Sequence, residues 1–184
     1  TPSFRVDGRR ALVTGAGRGI GLAAAHALAQ AGAAVTLAAR TASELERARA
    51  DIMAAGGRAE AWVVDVTDSR AVAAGVAKLG PFQILVNNAG MNRPQLITET
   101  TDGDLDDVLN LNVKATFYVA REVARGLLAK GLPGSIINIS SQMGHVGGPR
   151  RTVYCATKHA VEGLTKALAW ELGPAGIRVH WLDL

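Results

Sequence analysis

Cysteine is nearly absent from this chain. The single thiol, Cys155, has no partner for an internal disulfide, which points to a reducing, cytoplasmic setting. Cys155 itself is expected to pack as a small helical residue. Long apolar runs are also missing. No stretch approaches the ~18 uninterrupted apolar residues of a membrane span, and Thr1 to Arg10 holds no apolar core of a secretory signal. Aromatic residues make up only 4% of the chain, and the basic residues stand singly or in pairs such as Arg9-Arg10 and Arg150-Arg151. With few rings to stack on bases and no basic cluster, nucleic acid is not an expected partner despite the net charge of +4. An anionic small molecule accounts for that excess at least as well. No His/Cys/Asp/Glu set stands at metal-ligand spacing, so no metal is expected.

What is present is ordinary for a globular protein: 184 residues, 48% hydrophobic and 20% charged, enough for one domain over 1–184 with a sizeable core. Short β-branched runs alternate with alanine-rich segments throughout. Strands are expected at Ala11–Thr14, Ala34–Ala38, Ala59–Val64, Ile84–Asn87, Ser135–Ser140 and Ile177–Leu182. Most are nearly continuous apolar runs, as parallel strands buried on both faces require. Helices are expected at Ile20–Ala31, Ala42–Ala55, Ser69–Lys78, Asp104–Lys130 and Val153–Leu172, with Asp68, Asp102 or Gly103, and Thr152 as N-caps. The alternation predicts an α/β fold, a doubly wound parallel sheet with helices on both faces.

In such sheets ligands bind beyond the carboxyl ends of the strands. The polar and glycine-rich positions fall there: Gly15–Gly21 after the first strand, Arg40 after the second, Asp65 after the third, Asn88-Ala89-Gly90 after the fourth and Ser141 after the fifth. The run Gly15-Ala16-Gly17-Arg18-Gly19-Ile20-Gly21 joins a buried strand to a helix, where phosphate oxygens can approach backbone N–H groups at a helix N-terminus. It is not a G-x-G-x-x-G pattern, because Ile20 and Leu22 stand where a third glycine would fall. The second strand ends in Leu37-Ala38-Ala39-Arg40-Thr41, without the acid that would accept from a ribose 2′-hydroxyl. Arg40, with Arg18 in the glycine turn, instead suits a 2′-phosphate. NADP(H) is therefore expected over NAD(H), the alternative being that either arginine is an ordinary surface residue.

Tyr154 and Lys158 lie four residues apart on a predicted helix, thirteen residues after Ser141. The i and i+4 positions share a face, which sets an ammonium beneath a phenol. A phenol near its reference pKa of ~10 is a sluggish base at neutral pH, and an adjacent cation favours the phenolate. Ser141 can hold a substrate oxygen against the Tyr154 hydroxyl. In isolation Tyr154 and Lys158 would be a chance surface pair; Ser141 and the glycine turn make them an acid–base site. Weaker candidates are His145, Arg150, Arg151, Met91, Asn92 and Arg93, on loops that would wall the substrate pocket.

The combination Thr14-Gly15-x-x-x-Gly19-x-Gly21, Asn87-Asn88-Ala89-Gly90, Ser141 and Tyr154-x-x-x-Lys158 resembles the short-chain dehydrogenases/reductases of the classical type. The resemblance runs from about Arg9 to Val179. It implies a Rossmann fold, and it adds Asn112, in Leu111-Asn112-Val113-Lys114, as a fourth catalytic member that locally distorts the long helix and binds a relay water. It also implies that Asp65 and Val66 lie at the adenine, that Asn88, Ala89 and Gly90 lie along the cofactor, and that Arg40 lies at the adenosine ribose or its phosphate. A homodimer or homotetramer formed through the two long helices is implied as well.

The expected activity is therefore NADP(H)-dependent interconversion of a secondary alcohol and a ketone, on a 3-oxoacyl thioester or a sugar or polyol. The competing expectation is a truncated protein that binds NADP(H) or a partner without catalysis. The chain departs from its family at His180, where Asn is usual, and lacks the Pro-Gly turn, substrate-covering segment and seventh strand that normally follow. Incomplete coverage of a longer chain is expected from that, with the last strand here left as an exposed apolar edge.

Overall fold

The structure is a computed structural model describing residues 3–184. Six strands form one sheet: β1 (Arg10–Thr14), β2 (Ala34–Ala39), β3 (Arg58–Val63), β4 (Ile84–Asn87), β5 (Gly134–Ile139) and β6 (Ile177–Leu182), in the order β3-β2-β1-β4-β5-β6. Every pairing is parallel. The helices between them are α1 (Gly19–Gln30), α2 (Ala42–Ala54), α3 (Ser69–Leu79), α4 (Asp102–Leu109), α5 (Thr116–Lys130) and α6 (Thr152–Leu172). Chain order reverses between β1 and β4, which makes that crevice the switch point of the sheet.

Successive residues of a strand face opposite sides, and β1 displays this directly. Ala11 and Val13 pack with Ala25, Ala29, Leu45 and Ile52 of α1 and α2, whereas Leu12 packs with Val72, Val76, Val123 and Leu127 of α3 and α5. Each fully buried Val, Leu or Ile contributes about 1.5–3 kcal/mol, so the two layers clamp the sheet without a disulfide. No helix among the described residues is long and apolar enough to cross a membrane.

Most element ends agree with the expected ones to within a residue, but the long helix does not. The expected Asp104–Lys130 helix is broken into α4, a π-helical turn over Asn110–Ala115, and α5. The extra residue of the π turn lets Asn112 turn its side chain out of the helix, onto Met91 and Thr157. The caps also differ in part. Asp68 caps α3, accepting from the amides of Arg70 and Ala71, as expected. Thr101, rather than Asp102 or Gly103, caps α4 by accepting from Asp104 N, and Thr152 is already the first residue of α6. β6 pairs with β5 alone among the described residues. It is thus the edge strand that was expected, but a mixed one: Ile177 and Val179 are buried, while Arg178, His180 and Leu182 are exposed.

Candidate active site

A cleft of about 610 Å³ opens over the carboxyl ends of β1 to β5. Gly15, Gly17, Arg18, Ile20, Arg40, Asp65, Val66, Asn88, Ala89, Gly90, Tyr154 and Lys158 all line it. One cavity thus gathers the glycine turn and the Tyr/Lys pair. Gly19 and Gly21 lie in the first turn of α1, next to the lining residue Ile20.

The glycine turn is shaped by backbone requirements. Gly19 has φ of +57°, a left-handed conformation, and a Cβ there would meet open space. At Gly21 there is no such room, because a Cβ would collide with the Asn88 amide and the Gly15 carbonyl. Asn88 is the staple of the crevice: its Nδ2 donates to Thr14 O at 3.0 Å and Gly15 O at 3.2 Å. In return the amides of Asn88 and Ala89 each donate to Thr14 Oγ1 at 3.0 Å. The tips of β1 and β4 are fixed to one another before any ligand arrives. Arg40 is exposed at the rim, and among the described residues no carboxylate lies within ion-pair distance of it. Arg18 is largely exposed, with Nη1 4.0 Å from Glu44 Oε1. Asp65 accepts from Thr67 N at 2.9 Å and Thr67 Oγ1 at 2.8 Å. The Thr67 amide, ahead of the Thr67 hydroxyl and the Arg40 charge, holds its carboxyl below the usual range.

At the other end, α6 carries Tyr154 and Lys158. The Lys158 Nζ stands 5.5 Å from the centre of the Tyr154 ring and donates to Ile139 O at 2.7 Å. Burial pulls its pKa down from 10.5 to about 8, so the amine is still mostly protonated at neutral pH. Asn112 accepts from Met91 N at 2.8 Å and donates to Met91 O at 2.8 Å and Thr157 Oγ1 at 3.1 Å. It thereby ties the loop after β4 to α6. The family-implied distortion of the long helix is present at this residue. Ser141 is nearly buried, accepting from Met143 N at 3.3 Å and donating to Leu184 O at 3.4 Å. Its neighbour Ser140 lines the cleft, and Ser141 lies just outside the wall.

Among the weaker candidates, Met91 and Asn92 line the cleft. Arg93 is engaged elsewhere, by Asp104 and Asp107 at the start of α4. Sequence reasoning missed Glu44 of α2 and Leu111 of the π turn, both of which line the cleft. It also missed Glu162, a buried carboxylate on α6 that accepts from Ser140 Oγ at 2.9 Å and meets His145 Nδ1 at 3.2 Å. The spacing Lys158, Val161, Glu162, Thr165 would have revealed it, because i, i+3, i+4 and i+7 share the inward face of a helix. His145 also meets Asp183 through Nε2 at 2.8 Å.

Comparison with known proteins places these residues in context. The family model described as short chain dehydrogenase matches residues 9–183. D-erythrulose reductase of Gallus gallus is 42% identical, over 99% of this chain and 72% of its own. Gluconate 5-dehydrogenase of Gluconobacter oxydans is 43% identical, over 97% of this chain and 71% of its own. Among solved structures, a gluconate 5-dehydrogenase from Burkholderia cenocepacia in complex with NADP and tartrate superimposes with a TM-score of 0.93 at 38% identity, over 98% of this chain and 72% of that one.

Proposed function

The chain belongs to the short-chain dehydrogenase family, and on that premise we propose that it is an NADP(H)-dependent oxidoreductase interconverting a secondary alcohol and a ketone. The observation that carries the proposal is the cleft itself, in which Tyr154 and Lys158 face the same space as the glycine turn and Arg40. The residues fit the dinucleotide. The open space over Gly19 and the N-terminal amides of α1 suit its pyrophosphate. Arg40, with Arg18 beside it, suits a 2′-phosphate, and no acid stands at the end of β2 to favour a free 2′-hydroxyl. Asp65 and Val66 wall the adenine pocket, and Asn88, Ala89 and Gly90 form the floor beneath the dinucleotide.

When bound, the nicotinamide ring supplies or accepts the hydride at carbon. The chain supplies the proton chemistry at oxygen. Tyr154 donates its phenolic proton to the developing alkoxide, or as phenolate removes the proton from the alcohol. The buried Lys158 ammonium, 5.5 Å from the centre of the Tyr154 ring, sets a positive charge beside the group that exchanges the proton. Ser141 holds the substrate oxygen; its contacts of 3.3 and 3.4 Å are long and give way to a shorter bond. Asn112 keeps the floor of the cleft and α6 in register and supports the proton path behind Lys158. A homo-oligomer is part of the same reading, supported by exposed Leu105 and Phe117 on α4 and α5 and by Trp170 on α6, 87% exposed.

The relatives act on small polyhydroxylated compounds by their names, so a sugar or polyol is the preferred substrate and a 3-oxoacyl thioester the second. A panel of ketoses, keto sugar acids and a 3-oxoacyl thioester, followed by NADPH absorbance with NADH in parallel, tests the reading. Consumption of NADPH on a ketose is expected. Tight NADPH binding with no turnover on any ketone would favour the non-catalytic alternative.

A further inference from the structure

We propose that Glu44 is a specificity-determining residue of the nucleotide end. Its carboxylate stands in the corner where Arg18 and Arg40 would receive a 2′-phosphate, and it holds the preference for NADPH below the level those two cations would set alone. The inference rests on the proposed dinucleotide site and deepens it by naming a residue that works against the phosphate.

The corner is built to collect anions. Arg40 ends exposed at the rim and Arg18 stands in the glycine turn, and both line the cleft. Helix α1 begins beside that turn and α2 begins at Ala42, just past Arg40. The first amides of each helix lack a partner within the helix and carry a partial positive charge. An acid of the chain has already been drawn there. Glu44, in the first turn of α2, lines the same cleft and is laid onto the glycine turn, so that a Cβ at Gly17 would stand 2.8 Å from its Oε2. Its Oε1 lies 4.0 Å from Arg18 Nη1.

The local sequence gives this side chain another place. Thr41-Ala42-Ser43-Glu44 has the spacing of a capping box, in which the threonine hydroxyl accepts from the glutamate amide and the glutamate reaches back to the threonine amide. Thr41 is indeed the N-cap of α2, but its side chain accepts no cap hydrogen bond, and the Glu44 carboxylate is turned to Gly17 and Arg18 instead. The ion pair explains little of that choice, because it is long and the Arg18 side chain is 87% exposed. The pull is that of the corner as a whole, two guanidinium groups and two helix ends.

A 2′-phosphate brought to Arg18 and Arg40 therefore enters a space in which the chain has fixed a negative charge of its own. Like charges a few ångströms apart repel even in a hydrated cleft. Rotation of the Glu44 side chain reduces that repulsion without removing the charge from the first turn of α2. A free 2′-hydroxyl meets no such opposition, so Glu44 acts on the ratio of the two cofactors and not on dinucleotide binding in general. Asp65, the other acidic side chain of the lining, is engaged by Thr67.

Binding, rather than turnover, tests this. NADPH and NADH are titrated against the full chain by their own fluorescence, in wild-type, Glu44→Gln, Glu44→Ala and Glu46→Gln forms. Glu46 lies on α2 paired with Arg49 and outside the cleft lining, so Glu46→Gln makes the same change in net charge away from the corner. Glu44→Gln should tighten NADPH about three- to tenfold and leave NADH within about twofold. The gain should shrink in ~1 M salt, where the Debye length falls to ~3 Å. Glu46→Gln should leave both Kd values close to wild type. An NADPH affinity unchanged or weakened in both Glu44 variants would overturn the inference, as would a gain undiminished by salt or matched by Glu46→Gln. Arg40→Asp keeps the two readings apart. If it moves the preference and the Glu44 variants do not, the 2′-phosphate site stands and the role of Glu44 falls. If the wild type binds neither dinucleotide, the functional reading falls and takes this inference with it.

Discussion

At the β1–β4 crevice the walls are held by neutral hydrogen bonds, with one Asn88 amide reaching Thr14 O and Gly15 O and the Thr14 hydroxyl answering two amides. Along α6 the supporting groups are charges taken out of water, Lys158 beneath the Tyr154 ring and Glu162 one turn on. The first region is shaped mostly by backbone, and its polar groups are satisfied with no ligand present. The second carries an electrostatic cost. A lysine pKa lowered from 10.5 to about 8 corresponds to a charging penalty of about 3 kcal/mol at neutral pH. On the proposed reading, binding depends on preformed geometry, whereas proton transfer depends on the Lys158 amine, held away from its ordinary state. The contrast therefore separates a stable region from a strained, reactive one.

Four substitutions test that separation, from the largest effect to the smallest. On the proposed mechanism Tyr154→Phe removes the group that exchanges the proton, so turnover should fall about 10³-fold or more. NADPH affinity, measured by fluorescence titration, should stay near wild type; activity within tenfold of wild type would remove the mechanism. Lys158→Met should also abolish turnover, yet stabilise the fold. The penalty on the wild-type amine is fully present below about pH 8 and fades as pH rises towards 10.5, where the unfolded chain is neutral too. Denaturant melts at pH 7 should show a net gain of about 2 kcal/mol after the loss of the bond to Ile139 O. That gain should shrink by pH 10, and a loss of stability at pH 7 would break the comparison.

Asn88→Ala should act in the opposite sense. It strips the Thr14 and Gly15 carbonyls, both at least partly buried, of their partner and should destabilise the protein by about 2 kcal/mol with little pH dependence. NADPH binding should weaken in parallel, and an unchanged melt would show that the crevice is held otherwise. Arg40→Asp touches neither region's framework. It should shift the NADPH/NADH preference about 10- to 100-fold towards NADH, as expected for losing a charge-assisted hydrogen bond of about 1.5–3 kcal/mol, with the melting temperature unmoved. An unchanged preference would mean that the 2′-phosphate is read elsewhere.

Much of the nucleotide end was legible in the sequence because its determinants are local. Apolar runs ending in Gly15–Gly21, Arg40, Asp65 and Asn88 place those residues by strand period alone, and the sheet order then brings them to one edge. The spacing of Tyr154 and Lys158 was equally legible, being a property of one helix. What depends on long-range partners was not. The break at Asn110–Ala115 arises because Asn112 bonds to Met91 and Thr157, 21 and 45 residues away in sequence, and helix propensity carries no trace of such bonds. The helical spacing of Glu162 from Lys158 marks it as inward-facing, but its partners, Ser140 and His145, come from a loop that folds back on α6 and leave no trace in that spacing. The acidic cap of α4 was misplaced by a residue or two because Thr101, Asp102 and Gly103 all have cap chemistry, and only the backbone chooses among them.

The amide of Asn88 has one more effect. By riveting the two central strands at their tips, it forbids the sheet from parting like a hinge along its midline. On the proposed reading a dinucleotide then enters over the outer lip, past the exposed Arg18 and Arg40, rather than through a parting of the sheet.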